Sequence, residues 1–333
     1  MRVSWIDIVK GIGILLVVAG HSTAINLFGG YVGRWIGSFH MPLFFVMAGL
    51  CFDEKRYSGW FQYLKRKLTA LGYPYVMLSV FLALLSVALY FGDDSTMGFW
   101  RQMRMMVELS PRISPFWFIL VLFSVEIAYW AIAKLIRDEH WRLLVCLSAA
   151  SVGAFVLPEG YSVMRPNTFL VSLGFFGVAH AVKPLLVRLP TRLSYLAGVG
   201  LGLLTAHALL ILFVFKWEVG FHSCKLGSPL LFFVVSSTAI CAVSVLSMVF
   251  DKVPWAGGGL AWLGRNSIIL MAIHGHCGLF RASWAKIGFS GPLAFVVEYG
   301  LMVFLMWILA GPLSLFVKIP RKLVPRKQGA SEK

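Results

Sequence analysis

The sequence predicts an all-α polytopic membrane protein of about ten transmembrane helices, with both termini in the cytoplasm. Three observations carry that expectation. The 333 residues are 59% hydrophobic and only 13% Asp, Glu, Lys or Arg, about half the charged share of a soluble domain. Apolar residues in that proportion outnumber the interior positions of a water-soluble globule, and the same composition excludes a disordered chain. The apolar residues fall into ten runs, most of them near the roughly 20 residues that a bilayer-crossing helix needs. The basic residues cluster between the runs. With the N-terminus inside, 21 of the 30 Lys and Arg fall on the inner side and 9 on the outer, which by the positive-inside rule leaves both termini in the cytoplasm. The formal charge of +16 therefore reads as orientation signals and lipid head-group contacts rather than nucleic-acid binding.

In chain order, the first run, 6–25, contains Asp7 and Lys10 and leads at once to further spans, so it reads as a span and not a signal peptide. A nine-residue loop joins it to 35–52, which carries His40 and Pro42. The third run is 69–91. The longest outer connection, 92–114, then brings Arg101 and Arg104 ahead of 115–134, which opens on Phe116-Trp117-Phe118 and holds Glu126 at mid-membrane. The fifth run, 142–157, is short, with a Ser-Ala-Ala-Ser centre. Runs 168–186 and 194–215 carry the lone His180 and His207, and 229–249 follows. The ninth run, 260–280, opens with Leu263-Gly264-Arg265-Asn266-Ser267 and later carries His274 and His276. The tenth, 292–317, closes a transmembrane domain of residues 1–317, leaving 318–333 as a basic cytoplasmic tail. Five scattered cysteines, an odd count in mostly apolar segments, argue against a disulfide framework.

Ionisable groups in hydrocarbon are costly, so each is a functional candidate. Lys10 and His21 are eleven residues apart, about 20° from eclipsed on one helix face and about 16 Å apart along its axis. Asp7 lies within side-chain reach of Lys10. Gly11, Gly13 and Gly20 leave room for a neighbouring helix or a ligand. His40 is expected at the depth of His21, beside a kink at Pro42. Arg265 falls at the inner end of its span and His274 and His276 in the outer third. His180 and His207 are read first as helix-to-helix hydrogen-bond partners. Glu126 is open to a structural ion pair as well as to substrate binding, and Arg265 to a simple inner-surface marker. Several histidines at one depth could hold zinc. However, His274 and His276, two apart, face about 200° apart on a helix, so no metal site is expected.

The run Trp5-Ile-Asp7-Ile-Val-Lys10, ten residues, then His21, followed by Phe39-His40-Met41-Pro42-Leu43-Phe44-Phe45 and Ala48-Gly49, resembles the third membrane acyltransferase family. Within it the chain is similar to the fucose 4-O-acetylase-related branch. Pro115-Phe116-Trp117-Phe118-Ile119, Phe175-Phe176-Gly177 and Leu263-Gly264-Arg265-Asn266-Ser267 through His274 resemble three later segments of the family, so the likeness spans nearly the whole chain. The resemblance implies O-acylation of envelope or exported polysaccharide sugars at a bacterial inner membrane. It implies acetyl-CoA as co-substrate and no bound cofactor, and Lys10 with His21 as the activity-critical pair. Lys10 stands where the family often has Arg, and lysine cannot give a planar bidentate clamp. Asn167 stands where relatives often carry an acidic residue.

On that basis His21 is expected to take the acceptor's hydroxyl proton or to carry the acyl group transiently, with His40 or His274 orienting it or donating to the oxyanion. Lys10, Arg265, Asp7 and Asn266 are expected at the donor end, where cations could pair with CoA phosphates. Trp117, Glu126, Arg101 and Arg104 are expected on the acceptor side. The partners are then acyl-CoA, a sugar or polysaccharide acceptor (lipid-linked ones included) and membrane lipids. The rival class is a proton-coupled transporter or flippase, which also uses intramembrane His and Glu. Consumption of acetyl-CoA separates the two.

Overall fold

The computed structural model describes residues 3–22, 30–57, 59–89, 100, 116–160, 165–186, 192–274 and 291–317. Regular structure among them is helical, apart from a single bridge between Gly220 and Lys225. Helix α1 is Ser4–Gly20, α2 is Tyr31–Gly37 and α3 is His40–Cys51. Helix α4 (Trp60–Lys67) runs through a π-helical turn, Leu68–Gly72, into α5 (Tyr73–Leu89). Then follow α6 (Trp117–Leu135), α7 (Glu139–Phe155), α8 (Pro166–Leu186), α9 (Leu193–Leu209, extended by a π turn Leu210–Val214) and α10 (Pro229–Phe250). Last come α11 (Pro254–Arg265), α12 (Ser267–Ile273) and α13 (Gly291–Val317).

Among the described residues, five helical segments are long and apolar enough to cross a membrane: Trp117–Leu135, Pro166–Leu186, Leu193–Val214, Pro229–Phe250 and Gly291–Val317. Each matches an apolar run read from the sequence. Large apolar side chains stand exposed along them, including Leu201, Phe213, Leu230, Val296 and Trp307, as lipid-facing surfaces require.

The ninth run does not form the continuous helix expected of it, and the second, where Pro42 predicts a kink, divides into two helices. The break between α2 and α3 has a covalent cause. Pro42 has no N–H to donate to the carbonyl four residues back, which belongs to Ser38. The Ser236 hydroxyl of α10 donates to that carbonyl instead. The ninth run starts earlier than expected and divides at Asn266, whose Nδ2 donates to the Trp262 carbonyl at 2.9 Å and so closes α11. The third element also begins early, with the amphipathic α4, and its π turn precedes Pro74, whose ring an α-helical turn would not accommodate.

Glycines set the closest helix approaches. A Cβ on Gly49 of α3 would meet the Phe176 carbonyl of α8 at 2.4 Å, and one on Gly177 would meet Cys146 of α7 at 2.6 Å. Gly11 of α1 faces the Leu260 carbonyl of α11, and Gly13 faces Leu43 and Phe44 of α3. The room that these α1 glycines provide is thus taken by neighbouring helices.

Candidate active site

The first, second and ninth runs meet, and their histidines sit at helix ends. His21 closes α1, His40 opens α3 and His274 closes α12. The His21 and His274 rings lie 4.7 Å apart between centroids and are tilted by 45°. His274 is 4% exposed, whereas the surface of His21 is exposed. His40 lies within electrostatic range of His21.

Helix ends also set the proton positions. The last turn of a helix leaves carbonyls without intrahelical donors. His40 Nδ1 meets one of these, the Ile36 carbonyl of α2, at 2.8 Å. His274 Nδ1 meets another, the Met271 carbonyl of α12. A carbonyl only accepts, so in both residues Nδ1 carries the hydrogen. The neutral ring then keeps its lone pair on Nε2.

The other end of α1 is organised by a close crossing. A Cβ on Gly264 would lie 1.8 Å from the Asp7 carbonyl oxygen and 3.0 Å from the Gly11 nitrogen. This places Arg265, exposed at the end of α11, at the level of Asp7 and Lys10. Asp7 is buried and Lys10 half-buried, and Lys10 forms no ion pair among the described residues. One amide hydrogen of Asn266 is used in its bond to the Trp262 carbonyl. Basic groups thus stand about 16 Å from the imidazoles along α1.

Beside the histidines, the loop after α9 folds inward. Gly220 and Lys225 pair through backbone bonds of 2.9 and 3.0 Å, and Phe221, Cys224 and Leu226 are buried. Three successive carbonyls of this turn each accept one donor from the segment entering α8. The Thr168 hydroxyl bonds to Phe221 O at 3.2 Å, the Arg165 guanidinium to His222 O, and the Gly160 N–H to Ser223 O at 2.9 Å. Arg165 is 4% exposed, has φ of +48°, and holds its guanidinium over the Trp117 ring, 5.6 Å from the ring centroid. The His222 ring is 6.4 Å from the same indole. Burial first, then the charges of Arg165 and His21, push the His222 imidazole below its ordinary range.

Other residues singled out from the sequence lie elsewhere. Glu126 pairs with Lys67 at 2.7 Å, and Tyr63 donates to the Glu126 carbonyl at 3.0 Å while its ring lies under the same lysine. Glu126 is nine residues along α6 from Trp117, about 13 Å. His207 is enclosed by Trp35, Phe39 and the Ser38 hydroxyl, and His180 by Phe52 and Tyr129. Arg101, Arg104 and His276 lie outside the described residues. Arg165, His222 and the fully buried Glu298 of α13 are features that the sequence reading passes over. Glu298 was within reach of the argument from intramembrane charge. His222 was not, because a histidine in a polar connection bears no hydrocarbon cost.

The site thus defines a helical membrane protein with paired imidazoles at one end of a helix and basic groups toward the other. A family model described as an acyltransferase domain matches residues 3–317. The chain belongs to the third membrane acyltransferase family. No match is found among curated proteins or solved structures.

Proposed function

We propose that the chain is an O-acyltransferase that moves an acyl group, acetyl in the first instance, from cytoplasmic acyl-CoA to a hydroxyl of an envelope or exported polysaccharide sugar at a bacterial inner membrane. About ten spans, with both termini in the cytoplasm, complete this reading. The observation that carries it is the 4.7 Å contact between His21 and His274 on the helix whose other end holds Lys10. A thioester donor is long, with phosphates at one end and the reacting carbon at the other, and this separation of cations from imidazoles suits it.

In the proposed reaction a neutral imidazole of the His21–His274 pair accepts the sugar hydroxyl proton as the oxygen attacks the thioester carbon. The C–O bond forms, the C–S bond breaks, and the imidazolium returns its proton to the departing CoA thiolate. His274 is suited to the accepting role because its Nδ1 proton is engaged by Met271, leaving Nε2 basic. His21, the more exposed ring, is placed to meet the acceptor. Lys10 and Arg265 hold the donor's phosphates. Glu126, paired with Lys67, belongs to the scaffold in this reading.

The test uses membrane vesicles with labelled acetyl-CoA and extracted envelope glycans, comparing wild type with His21→Ala at matched expression. Label in glycan from wild type alone is the expected result. Label released from CoA without glycan modification would keep the enzyme and overturn the acceptor. No donor consumption by wild type would overturn acetyl-CoA as donor and reopen the transporter reading.

A further inference from the structure

We propose that His222 is an acceptor-binding residue of the histidine centre, held in place by Arg165 as its positioning residue. The inference rests on the acyltransferase reading and extends it to the sugar side, to which Trp117, Arg165 and His222 give a wall. Its ligand class is the hydroxyl array of a glycan.

The argument starts from what the 220–225 turn costs. A connection between two membrane helices normally leaves its backbone to water. Here three consecutive carbonyls, of Phe221, His222 and Ser223, are each met by a donor from the segment entering α8. One donor is a buried arginine in the left-handed region, at φ +48°. Both a buried guanidinium and a left-handed non-glycine residue are unfavourable unless the surroundings impose them. Cys224 adds a fourth tie, its thiol 3.7 Å from the Gly153 carbonyl, and Phe221 packs on Phe232 and Phe45.

The residue this scaffold displays is His222. Phe221 and Cys224 on either side point into the core, while the His222 ring stays half-exposed, faces Trp117, and is within electrostatic range of His21 and His40. A rigid backbone under a partly exposed imidazole, beside an indole and next to the reacting histidines, is the arrangement a preorganised polar contact requires. A neutral imidazole both donates and accepts a hydrogen bond, which suits a hydroxyl array. Arg165 spans the two parts of this wall: its side chain bonds the His222 backbone and covers one face of Trp117.

The experiment has two arms on the full-length protein in vesicles. In the first, acceptor and donor KM are measured for wild type, His222→Ala, His222→Gln and Arg165→Lys with extracted envelope glycan and acetyl-CoA. His222→Ala is expected to raise acceptor KM about fivefold to tenfold, the scale of one or two lost hydrogen bonds. Donor KM should stay within about twofold of wild type. His222→Gln should recover part of the loss, and Arg165→Lys should share the acceptor defect. Donor and acceptor KM rising together, or kcat falling with acceptor KM unchanged, would overturn the assignment. The second arm does not need turnover. Carbethoxylation of His222 by diethyl pyrocarbonate is followed by mass spectrometry with and without the glycan, donor absent. Protection of His222 by glycan, weaker in Arg165→Lys, is expected. An unchanged labelling rate would overturn the acceptor role even in an active enzyme. Protection without acetyl-CoA consumption would uphold the binding residue and overturn the transferase reading.

Discussion

Replacing Gly264 by alanine tests how the two ends of the site are coupled. A Cβ at this position would sit 1.8 Å from the Asp7 carbonyl oxygen, and ordinary contact begins at 3.4 Å, so α11 must retreat from α1 by about 1.6 Å. The obstacle is backbone on a packed helix, so no side-chain rotation relieves it. Overpacking of this kind costs about 1–3 kcal/mol. The larger effect falls on the chemistry. Only Asn266 separates α11 from α12, and α12 ends at His274. A displacement of α11 therefore carries the His274 ring away from His21. Misplacing a reacting group by about 1 Å costs on the order of 100-fold in rate, so Gly264→Ala is expected to lose about that much acyl transfer while still accumulating in the membrane. The same helix supplies the control: Gly258 and Gly259 have nothing within 4 Å of a built Cβ, and alanine at either should leave the rate within about twofold. The assay is initial acetyl transfer per unit of membrane-inserted protein. Gly264→Ala matching Gly259→Ala in rate would refute the coupling of this crossing to the histidine pair.

Three further outcomes are expected. Glu126→Ala should lower the detergent melting temperature more than Glu126→Ala combined with Lys67→Met, because the single change strands a half-buried ammonium. The double-mutant coupling should be about 1–3 kcal/mol, and additive effects would return Glu126 to the list of substrate contacts. Lys10→Ala should raise donor KM about tenfold, or about 1.4 kcal/mol, with Lys10→Arg close to wild type; a fall in kcat at unchanged donor KM would remove Lys10 from donor binding. Because His222 is held below the ordinary histidine value near 6.5, it stays neutral as pH falls through that value. Acceptor KM should therefore be flat from about pH 8 to 6.5 and rise only on further acidification. Arg165→Gln removes one cause of the lowering and should move the rise to higher pH, though not fully, because burial is the larger cause; a pH profile unmoved by Arg165→Gln would count against the contact.

The membrane class was legible from composition, and the long uninterrupted helices from run length alone. The pairing of Lys10 with His21 on one face follows from helical periodicity and does not depend on tertiary contacts. The junction of the first and ninth runs was not legible, since nothing in periodicity says which helices touch, and the expectation that His274 assists His21 presupposed it. A kink near Ser38–Phe39 was legible from Pro42, but the donor that serves the freed carbonyl, and the break at Asn266, were hidden for a different reason. Hydropathy registers how apolar a stretch is and not where its carbonyls find donors, and at Ser38 the donor is Ser236, 198 residues away. The glycines of α1 were visible as gaps, but whether a helix or a ligand fills a gap is a tertiary matter. His222 and Arg165 stayed hidden because polar loop residues look alike in sequence until the turn that presents them is folded.

The contact between His21 and His274 also bears on how the protein is made. These residues are 253 positions apart (274 minus 21), and chains emerge from the ribosome at roughly 5–20 residues per second. Between about 13 and 50 seconds therefore separate the two halves of the centre during synthesis. For most of that interval α1, with Asp7 and Lys10, exists without α11, the helix that closes over Gly11. Nascent chains that end before His274 lack the imidazole pair, so under the proposed function they are expected to be inactive in acyl transfer.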